Sequence, residues 1–195
     1  GGDEGVYMSR SIDSGESWEQ TSIRISPIDV ISTTFPQVDA GDPGRIAITY
    51  LGSENSSELG KPDIDGENWT GNAHYATTNV SYHLYITLSL NALDPSPTFF
   101  TYRVTDDPVQ IGSICLNSGD CRDIGGSNRN LLDFNDLHID REGRVFVAFA
   151  DGCIDTCAVD SNSTAEDSRS RRGSVYYLGS GPSLYDSVGL MDIPF

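Results

Sequence analysis

The sequence predicts an all-β fold, and three observations carry that prediction. Residues that favour strands are abundant, since Val, Ile, Thr, Tyr and Phe recur throughout the chain. No window sustains the 3.6-residue hydrophobic period of an amphipathic helix. One pattern of strand, Asp/Gly-bearing turn and strand also occurs twice, at 35–52 and 134–151. We therefore expect antiparallel sheets whose strands are joined by tight turns.

The repeated pattern predicts how these sheets are arranged. FPQVDAGDPGRIAITYLG and FNDLHIDREGRVFVAFAD align without a gap, and their first residues, Phe35 and Phe134, are 99 positions apart. A second element, VYMSRS at 6–11, recurs as LYITLS at 84–89 and as VYYLGS at 175–180. This order of elements is that of a four-stranded antiparallel meander, which is the blade of a β-propeller. The chain holds about two and a half such blades, whereas propellers close with roughly four to eight. We therefore expect a partial propeller whose remaining blades come from the same or another chain.

The blade pattern divides residues 1–195 within this single partial propeller. We expect the end of one blade at 1–30, a full blade at 34–106 with a long insertion at 52–81, a Cys-containing connector at 107–130, and a further blade at 131–195 with an insertion at 152–173. The insertions are rich in Gly, Ser and Asn, which predicts exposed loops. Loops on a rigid scaffold often carry function.

The first hairpin contains a polar turn, RSIDSGESWEQ at 10–20. Asp13 can accept hydrogen bonds from backbone N–H groups ahead of it, and Gly15 can adopt a positive φ without steric cost. We expect Trp18 to pack over the hairpin. In the second copy of this element, Asn91 stands in the position of Asp13, and the third copy has lost both Asp and Trp.

The charge of the chain limits its partners. The formal net charge is −17, from 29 acidic against 12 basic residues. Nucleic acid is excluded as a partner, because phosphate binding requires a basic surface. No apolar run reaches the ~20 residues of a membrane span. Solubility, divalent-cation binding and life at high salt are all compatible with this acidity.

The cysteines and glycosylation sequons indicate a compartment. Paired cysteines, sequons and an acidic surface together predict an extracellular or cell-surface glycoprotein. The four cysteines predict disulfides, with local pairing within each couple preferred, and a four-thiolate zinc site is the alternative. The couples are Cys115/Cys121 and Cys153/Cys157, and the sequons are at Asn55, Asn68, Asn79 and Asn162.

One acidic stretch has the spacing of calcium ligands. In KPDIDGENW, Asp63 and Asp65 place carboxylates at alternate positions, as calcium-binding loops do. The rest of an EF-hand loop is missing, so a solvated acidic turn is the alternative. Calcium is therefore a possible ligand, and the prediction requires no cofactor.

A polar cluster begins the inner strand of the last predicted blade. Asp133, Asn135 and Asp136 precede the apolar positions of that strand. Because the innermost strand of each propeller blade lines the central channel, these three residues are candidates for a ligand-facing surface.

The opening turn carries a family resemblance. Ser11-X-Asp13-X-Gly15-X-X-Trp18, placed between two strands of a repeated meander, resembles the Asp-box of the bacterial neuraminidase repeat. FPQVDAGDPGRIAITYLG is similar to the first two strands of blades in the same sialidase-like proteins. The resemblance implies a sialidase-like propeller in which the Asp-box is a structural turn away from the sugar site.

The resemblance also implies an active site that this chain does not visibly carry. Family sialidases use an arginine triad that clamps the substrate carboxylate, a Tyr–Glu pair and an Asp acid/base. The string nearest to the family's first arginine motif is Tyr102-Arg103-Val104-Thr105, in which Thr replaces Pro. The catalytic residues are therefore left unassigned.

The leading functional prediction is a non-catalytic module of a secreted or cell-surface protein, a rigid scaffold that binds carbohydrate or protein partners. One alternative is an exo-sialidase-type glycoside hydrolase with its active site mostly outside this chain. Another is a structural subunit of a surface layer or filament. The fold does not decide between them.

Overall fold

The computed structural model describes residues 4–54, 73, 76, 80–114, 131, 135–159, 171–185 and 190–191. Within these residues the protein is all-β, with antiparallel sheets, none closed into a barrel, and one short helix, so the predicted class is confirmed. The elements are β1 (Tyr7–Met8), β2 (Ile23–Arg24), β3 (Ser32–Ala40), β4 (Ile46–Ser53), β5 (Ser81–Ser89), β6 (Phe100–Arg103), β7 (Gln110–Ile111), β8 (Asn135–Ile139), β9 (Val145–Asp151), α1 (Thr156–Val159), β10 (Arg172–Tyr177), β11 (Gly181–Pro182) and β12 (Leu190–Met191).

The described strands form four sheets. β1 and β2 are a hairpin, and β11 and β12 are a second short pair. β3-β4-β5-β6 is an antiparallel meander, with β7 added at the beginning of β5, and β8-β9-β10 is a three-stranded antiparallel sheet. The first large sheet has the strand order that the sequence predicts for 34–106. Its role as a propeller blade stays a prediction.

The sequence repeat reappears in the backbone. β3 and β4 pair in the same register as β8 and β9 do 99 residues later. Both turns contain a glycine with positive φ, 84° at Gly44 and 78° at Gly143. The third copy of the second element pairs in a different register from the second copy. Leu84 pairs with Leu51, whose counterpart 99 residues later is Ala150, but Val175, which aligns with Leu84, pairs with Ala148. This is a shift of two residues, which keeps every side chain on its face of the sheet.

The sheet β3–β6 packs on both of its faces. One face meets the β1–β2 hairpin, and the other meets β8 and β9. The two faces bury separate apolar clusters, because successive side chains of a strand point to opposite sides. The first cluster contains Val6, Ile25, Val30, Ile48, Tyr50 and Tyr85, and the second includes Ala47, Leu51, Leu84, Ile86, Leu88, Leu137, Ile139, Val145, Val147 and Phe149.

The sheet β8–β10 is covered on one face only. Its core face carries Leu137, Val147 and Phe149, all buried. On the opposite face, Val175 is 65% exposed and Tyr177 is 56% exposed. We call this opposite side the open face; by strand register it comprises Asp136, His138, Phe146, Ala148, Ala150, Gly173, Val175 and Tyr177.

Among the described residues, no helix has the length and apolar character needed to cross a membrane.

Candidate functional site

The two large sheets have ends of different character. At one, which we call the turn end, short turns at 41–45 and 140–144 join neighbouring strands. At the other, which we call the insertion end, β4 and β9 end and β5, β8 and β10 begin, so the insertions at 54–80 and 152–171 leave from it. Because long loops on rigid strands commonly hold binding residues, the insertion end is the candidate for a functional surface.

The turn of the first hairpin binds its own acidic residue. The Oγ of Ser11 lies 2.7 Å from Oδ1 of Asp13 and accepts the N–H of Gly15 at 2.8 Å. Asp13 Oδ1 also accepts the N–H of Ser17 at 2.9 Å, and Gly15 has φ of 89°. Hydrogen bonds from the Ser17 hydroxyl and amide, and then from Ser11, lower the pKa of Asp13 to about 2. Trp18 is 58% exposed, less covered than the sequence suggests. The geometry is that of a structural turn.

The second copy of this turn uses an amide in place of the carboxylate. The N–H of Asn91 donates to Ser89 Oγ at 3.3 Å, and Asn91 Oδ1 accepts the N–H of Thr98 at 2.8 Å. Arg10, from the first hairpin, donates to the carbonyl of Ala92 at 2.9 Å. The turn end is therefore held by hydrogen bonds within and between its turns.

Two of the three predicted ligand-facing residues are described, and both lie at the insertion end. Asn135 is the first residue of β8 and is only 9% exposed. Its Nδ2 has no hydrogen-bond partner, the one such buried side-chain atom in the described part of the chain. Asp136 follows on the open face and is exposed. The third candidate, Asp133, lies outside the described residues.

A groove of about 490 Å³ runs around this end of the β8–β10 sheet and contains both residues. Small side chains, Ala148, Ala150 and Gly173, line part of it, together with Arg171 and Arg172. The sequence did not identify these arginines as groove residues. Their position depends on the pairing of β9 with β10, two strands that the 152–171 insertion separates in the sequence. The one local signal in the sequence was a pair of basic residues before a strand in an acidic chain.

Asp151 lies beside this groove as the last residue of β9. Burial is the main cause that raises the pKa of Asp151 to about 6, and the charge of Asp107 acts in the same direction. A hydrogen bond from the Cys153 N–H, 3.1 Å to Oδ1, and the cross-strand neighbour Arg172 oppose the rise. A carboxylate at this position is therefore costly to the folded state.

A Tyr–Glu pair occurs at the same end. Tyr85 Oη donates to Glu54 Oε1 at 2.9 Å, and the Tyr85 ring stacks on Tyr50 with centroids 5.6 Å apart. Burial first, and then the hydrogen bond to Glu54, raise the pKa of Tyr85 far above its usual value. A nucleophilic phenol must lose its proton, and this environment holds the proton on the oxygen.

The disulfide between Cys153 and Cys157 confirms local pairing for that couple. Both cysteines are buried, and the bond joins Cys153, which precedes α1, to Cys157 within α1. Because these two cysteines are oxidised, they cannot supply thiolates to the alternative four-thiolate zinc site. Elsewhere in the described ranges, no group of three or more His, Cys, Asp or Glu is placed to hold a metal ion. The remaining predicted positions lie outside the described residues: Cys115, Cys121, Asn55, Asn68, Asn79, Asn162, Asp63 and Asp65.

Comparison with known proteins adds no relative: the chain matches no family model, no curated protein and no solved structure. The sialidase-like propeller therefore stays a prediction that depends on the Asp-box and the strand repeat.

Proposed function

We propose that this chain is a non-catalytic binding module of a secreted or cell-surface protein, and that the insertion-end groove binds carbohydrate. We also propose that its sheets are blades of a sialidase-like Asp-box propeller, which would provide the rigid scaffold. The observation that carries the binding proposal is the buried, unpartnered amide nitrogen of Asn135, a residue that lines that groove.

A buried donor without a partner costs the folded protein about 1–3 kcal/mol. A ligand oxygen that accepts from Asn135 Nδ2 would recover that cost at the moment of binding. A sugar hydroxyl suits this position, because it can accept from the amide, while Asp136, on the opposite face of the strand, can accept from another hydroxyl of a ligand that follows the groove around the end of the sheet. The groove volume of about 490 Å³ falls in the range of small-molecule sites.

The width of the groove favours a ligand larger than a single ion. Asn135 and Ser174 both pair with Phe149, on its two sides, and therefore share the core face of the sheet. Two strand spacings separate their backbones by about 10 Å. Arg172 lies on the same face as Ser174, two residues closer to the insertion end of β10. Donors spread over such a distance match the hydroxyl groups of a sugar ring or two.

The described residues give more support to binding than to hydrolysis. Asp136 is the one acidic side chain that lines the groove. Most glycoside hydrolases use two carboxyl groups about 5–10 Å apart, and sialidases replace one of them with tyrosine. The Tyr85–Glu54 pair keeps its phenol protonated, and neither residue lines the groove.

The secreted setting has its own support. The Cys153–Cys157 disulfide is typical of proteins that fold in an oxidising compartment. The hydrogen-bonded turn end fixes the strands that present the groove, as expected of a scaffold.

A glycan array followed by calorimetry on the 195-residue chain tests the proposal. We expect Asn135→Leu to weaken binding at least about tenfold, the equivalent of one lost hydrogen bond at about 1.4 kcal/mol. Gln20→Leu, which removes an exposed amide from the first hairpin, is the matched control and should bind normally. Binding that is unchanged in Asn135→Leu would contradict the assignment. Turnover of a fluorogenic sialoside by the chain would favour the hydrolase alternative.

A further inference from the structure

One short segment at the turn end is hydrogen-bonded to both large sheets. Residues 183–185, which we call the clasp, follow β10 in the sheet β8–β10. The N–H of Asp42, in the turn between β3 and β4, donates to the carbonyl of Leu184 at 2.9 Å. The N–H of Leu184 donates to the carbonyl of Gly143, in the turn between β8 and β9, at 3.0 Å. The clasp therefore bridges the two sheets through the backbone of one residue.

Side chains strengthen this attachment on both sides. Arg45 Nη1, from the first large sheet, donates to the carbonyl of Ser183 at 2.8 Å. Ser183 Oγ donates to the carbonyl of Glu142, in the turn of its own sheet, at 3.1 Å. The side chain of Leu184 is fully buried in the apolar cluster between the two sheets. These contacts are all present only while the two sheets lie together.

The clasp is the structural counterpart of the polar turn in the second copy of the repeat. In that copy the N–H of Ala92 donates to the carbonyl of Gly44 at 2.7 Å, and Gly44 is the repeat counterpart of Gly143. Because Leu184 makes the equivalent bond, Ser183 stands where the second copy has Asn91. The degenerate third turn has therefore kept its place in the fold after losing the acidic residue.

The three copies differ in what closes the turn. Asp13 accepts the N–H of a residue four positions ahead at 2.9 Å, and Asn91 accepts that of Thr98, seven positions ahead, at 2.8 Å. The side chain of Ser183 is shorter, and its Oγ accepts the N–H of Tyr185, two positions ahead, at 3.0 Å. The first two turns are thus closed by their own side chains. The third depends mainly on bonds to the turns of the two sheets.

The first large sheet carries a glycine that fits the clasp. A Cβ at Gly41 would overlap the carbonyl oxygen of Leu184, and its nearest atoms would all belong to that residue. The φ of Gly41 is not positive, so backbone conformation does not require glycine there. Its repeat counterpart is Asp140, whose carboxylate accepts two N–H groups of its own turn. The close approach of the clasp therefore explains why the repeat is broken at Gly41.

We propose that the clasp is a conformational device that closes only when the two large sheets are docked and opens as one unit while both sheets stay folded. The chain beside it can pivot, because Gly179 and Gly181 separate β10 from the clasp and Gly181 has a φ of 122°, which is almost exclusive to glycine. Opening releases both sheets together, since Leu184 bonds to each. When the clasp is closed, it ties β10, which lines the insertion-end groove, to the first large sheet.

Native-state hydrogen exchange on the 195-residue chain tests the proposal without a variant. The amides of Asp42 and Leu184 belong to different sheets but are released by the same opening. We expect their protection factors to agree within about threefold, and to lie at least about tenfold below those of β5, which is paired on both sides. A larger difference between the two amides, or a smaller gap to β5, would overturn the proposal.

Gly41→Ala tests the clasp from the opposite sheet. The added methyl group meets Leu184, so the protection of the Leu184 amide should fall at least about tenfold. The amide of Ser17, in the self-closed first turn, should keep its protection. Gly173→Ala, where nothing lies within 4 Å of the added carbon, is the control and should leave Leu184 unchanged. Unchanged protection of Leu184 in Gly41→Ala, or an equal loss at Ser17, would contradict the proposal; if that variant does not fold, exchange in the unmodified chain decides.

Discussion

Asp151→Asn is expected to stabilise this protein at neutral pH. The folded state raises the pKa of Asp151 to about 6 from the usual 3.8 of an aspartate, mainly by burial, so the charged carboxylate is disfavoured there. Asparagine keeps an oxygen that can accept the Cys153 N–H but carries no charge. The substitution therefore removes the cost of the buried charge and retains the local hydrogen bond.

The size and the pH dependence follow from linkage. A rise of about two pKa units corresponds to about 3 kcal/mol, and we expect about 1–2 kcal/mol because Asp151 is only partly buried and water screens its charge. Above about pH 6 the carboxylate is charged in both states and the cost is fully present; below about pH 4 it is protonated in both states and the cost is absent. The stability of the unmodified protein should therefore gain from Asp151 as the pH falls from 7 to 4.

Urea and thermal unfolding, followed by circular dichroism, measure the effect. At about pH 7.5, Asp151→Asn should raise the melting temperature by about 3–6 °C, and at about pH 4 the two proteins should melt together. Asp155→Asn, which neutralises an exposed acid four residues further along the chain, should change neither value. Equal or lower stability of Asp151→Asn at neutral pH would refute the reasoning, because it would show that Arg172 more than offsets the burial of the charge.

Two further predictions concern the turns. Asp13→Ala should lower the melting temperature without affecting glycan binding, because Asp13 accepts the hydrogen bonds of its own turn. The folded state lowers the pKa of Asp13 to about 2. The stability that Asp13 contributes is therefore present above about pH 4 and is lost as the pH falls toward 2. Loss of binding at unchanged stability would contradict the structural role. Gly143→Ala should cost about 1–3 kcal/mol in urea unfolding, because Gly143 has a φ of 78° and an added Cβ would lie 2.0 Å from Ser183 Oγ. Gly173→Ala is the control, since nothing lies within 4 Å of the added carbon, and an equal loss there would show that the turn geometry is not the cause.

The sequence predicted best what depends on neighbouring residues. The strand–turn–strand repeat was readable because each copy carries its own glycine at the turn, and both glycines have positive φ. The replacement of Asp13 by Asn91 was also readable, because both side chains accept a backbone N–H a few residues ahead. Local pairing of Cys153 with Cys157 depends on a separation of four residues.

The features that could not be predicted from the sequence depend on pairing between distant segments of the chain. Arg172 comes to the groove only because β10 pairs with β9 in a register two residues from the one that the repeat alignment gives. The raised pKa of Asp151 arises from burial and from Asp107, on another segment of the chain. Neither effect leaves a local pattern, because each requires knowing which strands lie side by side.

The two ends of the sheets differ in how well their polar groups are satisfied, and that difference supports the insertion end as the proposed binding surface. At the turn end, Asp13, Asn91 and Asp140 all accept backbone N–H groups of their own turns. At the insertion end, Asn135 has a buried donor without a partner, and Asp151 holds a disfavoured charge. A fold tolerates such costs where another molecule relieves them, and the stability of the turn end offsets them. If Asn135→Leu and Asp151→Asn both raise the melting temperature while Asn135→Leu abolishes binding, the same residue will be shown to cost stability and to bind ligand.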